Sequence, residues 1–199
     1  MSERNTVLRS MHDVGLAAWF GGSLMGAVGL NGAAKGHSDS WRDNARIAST
    51  GWAMWTPVSA VAIGAHLVGG SGLLAANASR VATQQGVAAS TVAKTVLTGV
   101  ALAATAYARM LGKKIELASS QDPQDAEEAA ASFDTGKAAE RQLSYAQWVV
   151  PAVTGGLLIL NALHGEQQRP EQQAQDMWQR AHSLSPHMPS GDCWRHLRD

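Results

Sequence analysis

The chain has 199 residues, 45% hydrophobic and 16% charged, with 16 basic and 16 acidic side chains that cancel to a formal net charge of zero. That balance removes bulk electrostatic attraction to nucleic acid and gives no basis for a polyanion partner. A single cysteine, Cys193, excludes an intramolecular disulfide and every two-cysteine metal or redox motif.

The whole-chain hydropathy average is slightly negative, but it mixes apolar blocks with very polar ones, so the distribution carries the information. From Val14 to Ala34 there is no charged side chain, and the block holds Gly15, Gly21, Gly22, Gly26, Gly29 and Gly32. In water each interior glycine costs a helix about 1 kcal/mol relative to alanine, so this density argues against a soluble helix. In lipid the helix persists because its backbone groups have no water to bond, and glycine lets neighbouring helices approach closely. The block predicts a first span over about 13–34. Ala18, Gly22 and Gly26 recur every four residues and mark its packing face. Arg4 and Arg9 precede it, but it is longer than a signal-peptide core and similar blocks come after it, so it reads as a retained span.

A polar loop with His37, Asp39, Trp41, Arg42 and Asp43 leads to a block free of Asp, Glu, Lys and Arg from Ile47 to Ser79. It predicts a second span over about 52–76, with Gly69 and Gly70 as packing positions. A third span lies over about 88–110, where the long stem of Lys94 can carry its ammonium to the headgroups. Leu111 to Arg141 reads as a long connection whose acidic, alanine-rich run, with Asp122, Asp125, Glu127 and Glu128, extends the third helix beyond the membrane. The fourth span is placed over about 143–164, with Gly155 and Gly156 at its packing face. Trp52, Trp55 and Trp148 fall near predicted ends, where indole prefers the headgroup region.

The fold class is therefore all-α: a polytopic membrane protein with a four-helix transmembrane domain over 1–165 and a polar, largely flexible C-terminal tail over 166–199. The start of the tail reads as an amphipathic helix around Trp178. His182, His187, Cys193 and His196 are metal-capable types in the tail but fit no structural zinc spacing. Four spans put both termini on one side. The terminal side carries Arg4, Arg9, Arg80, Arg169, Arg180, Arg195 and Arg198; the other carries Lys35, Arg42, Arg46, Arg109, Lys113, Lys114, Lys137 and Arg141. Seven against eight gives the positive-inside rule no direction to assign.

Chemistry within the spans is confined to a few polar residues, and an intramembrane ionisable group is a functional candidate by default. His66 lies within the second span, His12 opens the first and His164 closes the fourth, all in one half of the bundle. Helix rise sets His12 and His164 about 10 Å above His66. Two readings are open. Facing imidazoles can ligate a haem iron or a copper ion, or His66 hydrogen-bonds a carbonyl or hydroxyl of a neighbouring helix. No phosphate-binding loop, nucleophile elbow or paired-carboxylate site is present in the sequence, so no catalytic residue is assigned.

The stretch from His12 through Trp19 to Gly21-Gly22 reads as His, six residues, Trp, any residue, Gly-Gly. It resembles the first helix of small bacterial four-helix membrane families, including the copper-resistance D-type proteins. The alanine- and glycine-rich texture, with Trp52-Ala-Met-Trp55-Thr-Pro57 leading into the second span, resembles uncharacterised integral membrane proteins of actinobacteria. The resemblance implies a place in the inner (plasma) membrane and, from the metal- and haem-handling members, a ligand role for His12. Two functions are expected from these readings. The first is a non-enzymatic accessory or interaction subunit, embedded in the lipid bilayer and docked on a larger membrane complex or a second copy of itself. The alternative is a haem- or copper-type membrane protein using His12, His66 and His164.

Overall fold

A computed structural model gives the backbone of residues 5–78, 82 and 85–184, with side chains over 5–78, 82 and 88–163 and at 178. Helix α1 (Thr6–Met25) passes through a π-helical turn, Gly26–Leu30, into a short α2 (Asn31–Lys35). The junctions at Met25 and Asn31 keep right-handed helical dihedrals, so the three segments form one rod. Then come α3 (Trp41–Ala76), α4 (Gln85–Ser120) and α5 (Ala126–Leu184). No strand occurs among the described residues. Four helical stretches, Thr6–Lys35, Trp41–Ala76, Ala88–Ser120 and Ala126–Leu163, are long and apolar enough to cross a membrane. The protein is an all-α bundle of the multi-pass membrane type.

The helices outrun the apolar blocks that predict them, chiefly at the loop end. Ser40 caps α3 by accepting the Asp43 N–H on its hydroxyl. The segment 111–141 is not the long connection the sequence suggests but the end of one helix, a tight turn and the start of the next. After Pro123, Asp125 Oδ1 accepts the Glu128 N–H at 2.8 Å while Glu128 Oε2 accepts the Gln124 N–H at 3.0 Å. This reciprocal cap, with Glu127 also in the first turn, places the acidic run at the start of α5, where the helix dipole favours negative charge, and not at the end of α4. The hairpin is held by burial of Leu111, Ile115 and Ala139 around Ala45, and by the Ser132 hydroxyl donating to the Ala118 carbonyl at 2.7 Å.

Deeper in the bundle, Leu16, Trp19, Ala101, Val150 and Leu157 form a second buried cluster. Large apolar side chains elsewhere point outward at mid-helix: Val14 is 68% exposed, Val61 73% and Ile159 63%. In water such a surface invites aggregation; against lipid it is the required exterior. Residues divide into two compact units, Met1–Leu160, which holds the bundle, and Asn161–Asp199. The backbone of the tail is helical through Leu184, and Trp178 is exposed. His187, Cys193 and His196 lie outside the described residues, as do the side chains of His164 and His182.

Candidate functional site

Helices α1 and α3 cross antiparallel at two copies of one short pattern, His12-Asp-Val-Gly15 and His66-Leu-Val-Gly69. The Nδ1–H of His12 donates to the His66 carbonyl at 3.0 Å, and the Nδ1–H of His66 donates to the His12 carbonyl at 3.0 Å. A carbonyl only accepts, so each ring carries a proton on Nδ1. The rings stack with centroids 4.0 Å apart and planes 21° from parallel. Trp19 meets His66 edge-on at 6.1 Å. His66 is 2% exposed.

The glycines make this approach possible. A Cβ at Gly15 would lie 2.5 Å from the Ala62 carbonyl oxygen and 2.6 Å from the His66 nitrogen. One at Gly69 would lie 2.5 Å from both the Leu8 carbonyl oxygen and the His12 nitrogen. Ala62 stands four residues before His66, and Leu8 four before His12, so the two halves are related by a local two-fold axis.

The sequence places His12 about 10 Å above His66, whereas the structure puts them in contact. The apolar block sets the expected start of the first helix too close to the membrane centre. In fact α1 begins at Thr6, so His12 is already well inside it, while α3 ends at Ala76, where its apolar block places the end. Axial haem ligation needs an imidazole nitrogen on each face of the macrocycle. These rings lie flat against each other with no width for a macrocycle between them, and each Nδ1 is engaged by backbone. The bond from His66 to a carbonyl of the neighbouring helix is the contact that the hydrogen-bonding reading expects. Among the described residues no group of three or more His, Cys, Asp or Glu side chains could hold a metal ion.

No protein-family model, curated protein or solved structure matches the chain. Geometry therefore carries the functional reading.

Towards the loop end the same two helices separate by the width of an indole. The ring of Trp55 occupies the space above Gly22, and that of Trp52 the space above Gly26. These indoles fill the bundle and do not mark its ends, because α3 starts at Trp41 and not near Trp52 as the sequence suggests. Trp52 Nε1–H donates to Asn31 Oδ1 at 2.9 Å, and Asn31 Nδ2–H donates to Gln147 Oε1 at 2.7 Å. This chain ties α3, α2 and α5 together between two adjoining cavities. The outer one, about 440 Å³, is bordered by Lys35, Asp39, Lys137 and Glu140. The inner one, about 290 Å³, is bordered by Trp19, Trp52, Trp55, Thr105 and Arg109.

Among the other packing positions read from sequence, a Cβ at Gly70 would lie 3.0 Å from the His12 ring and one at Gly155 3.1 Å from the Phe20 ring. Ala18 is half-buried on α1. At Gly156 a Cβ would meet nothing within 4 Å, so no close approach among the described residues depends on it. Sequence reasoning overlooked Asn31, Gln147 and the direct hydrogen-bonded contact of His12 with His66. The repeated His-x-Val-Gly pattern and a lone asparagine in an uncharged block were the available signals.

Proposed function

We propose that the chain is a non-enzymatic interaction subunit of the bacterial plasma membrane, docking α1 against a helix of a larger membrane complex or of a second copy of itself. The observation that supports this is the second face of α1. Gly15, Gly22 and Gly26 are occupied by α3, yet Ala17, Gly21, Met25 and Gly29 recur at four-residue spacing and are all exposed. A Cβ at Gly21 would meet nothing within 4 Å, and one at Gly29 would meet only Met25 of its own helix. Lipid tails gain little from a bare helix face, whereas a second backbone gains close van der Waals contact there. The plasma-membrane location rests on the resemblance carried by His12, Trp19, Gly21 and Gly22.

The test is extraction from native membranes into polymer-bounded lipid discs, followed by mass measurement and identification of co-purifying chains. A stoichiometric assembly that Gly21→Leu disperses, with the helices still inserted, supports the reading. Recovery of the wild-type chain only as a lone monomer overturns it.

A further inference from the structure

We propose that the inner cavity binds a single-chain amphipathic organic anion, with its acidic head at Arg109 and its apolar body against Trp19, Trp52 and Trp55. The cavity runs along α3 from Ala48 to Ile63, about 22 Å of helix. At about 290 Å³ it is of the size that accommodates a small ligand. Its wall is more apolar than its residue types suggest, because several hydroxyls return to their own helix. Ser23 donates to the Phe20 carbonyl, Thr56 to that of Trp52 and Thr105 to that of Ala101. The inner end, at Ile63 and Val150, is hydrocarbon.

Charge decides the class of head group. Of the charged side chains in the wall, Lys113 is paired with Glu116 at 2.6 Å, which leaves the exposed Arg109 guanidinium as a net positive charge. Among the described residues it has no acceptor, and neither does the indole N–H of Trp55. Donors without acceptors around an aromatic slot favour an anionic ligand over a cation or an alkane.

The π-helical turn points to the same place independently. Gly26–Leu30 is the one departure from α-geometry within Thr6–Lys35, and single π-turns are rare and recur at functional sites. Asn31, the residue that follows the turn, borders the cavity and joins Trp52 to Gln147.

The test uses the full chain in phosphatidylcholine nanodiscs, titrated with dibromostearate, whose bromines quench tryptophan, and with its methyl ester as the uncharged match. Saturable quenching by the acid, beyond any given by the ester, is expected. Arg109→Gln should weaken the acid by about tenfold, the worth of one charge-assisted hydrogen bond, and leave the ester unchanged. Arg109→Lys should stay within a few-fold of wild type. Equal quenching by acid and ester, or an unchanged acid affinity in Arg109→Gln, overturns the proposal. Adding phosphatidylglycerol to the discs identifies the source of the anion. No competition upholds the proposal with a free carboxylate as the source, whereas competition assigns the site to the bilayer's own two-chain anionic lipid and overturns the single-chain assignment.

Discussion

The imidazole of His12 lies flat on that of His66, 4.0 Å between ring centres, and each gives its Nδ1–H to the other's main-chain carbonyl at 3.0 Å. Two side chains thus clasp two backbones across a glycine-lined crossing, and the crossing point of α1 and α3 is fixed in both depth and rotation. The clasp uses the ring nitrogen nearer the backbone. The amide nitrogen of asparagine occupies the equivalent position, while that of glutamine reaches one atom further.

The replacement at this site should therefore obey geometry. His66→Asn is expected to insert and assemble with small loss, whereas His66→Leu should lose about 1–2 kcal/mol through the missing hydrogen bond and the unsatisfied partner. A double-mutant cycle of His12→Asn with His66→Asn, read by reversible unfolding in mixed micelles, should give a coupling of about 1 kcal/mol. A Soret band in the purified wild type that disappears in His66→Asn, with insertion intact, would instead make the pair a ligand set.

Glycine substitutions should divide by what a Cβ meets. Gly15→Ala and Gly69→Ala drive a methyl into backbone atoms at 2.5 Å, where no side chain can turn aside. Each should destabilise the bundle by about 2 kcal/mol or more. Gly156→Ala meets nothing within 4 Å, and helix propensity alone should make it neutral or stabilising by up to about 1 kcal/mol. Equal losses at all three positions, measured by unfolding in mixed micelles, would mean that the α1–α3 contact is not the close one described.

Asn31 serves two partners, accepting from Trp52 and donating to Gln147. Asn31→Leu leaves both without their bond and should cost about 1 kcal/mol, since hydrogen bonds between membrane helices are individually modest. Adding Gln147→Leu should recover part of that loss, because it removes one stranded polar group. Purely additive losses in the double variant would show that the two amides are not coupled.

At the loop end, Asp125 caps α5 through the Glu128 N–H. Asp125→Ala should cost about 1 kcal/mol locally. Amide hydrogen exchange should quicken over 126–131 while the His12–His66 crossing keeps its protection. A protection loss spread through the whole bundle would contradict the local role.

Four apolar blocks of about 20 residues, charge-free but for Lys94 in the third, could be read directly from the sequence, because hydrocarbon thickness demands that length and disfavours charge within it. The glycine-rich, close-packed character of α1 came from the same solvent argument. Helix ends were not legible to that reasoning. Hydropathy reports where lipid begins, whereas the helices continue until capped, at Ser40 and Asp125, so the depths of Trp52 and His12 came out wrong. Nor could composition tell which glycines matter. Gly15 and Gly156 look alike in sequence, yet one lies against the backbone of α3 and the other against nothing, a difference made only by where helices cross. The pairing of His12 with His66, 54 residues apart, belongs to the same class. The sequence supplies two imidazoles and two glycines in a shared pattern, but only antiparallel packing brings each ring to the other's carbonyl.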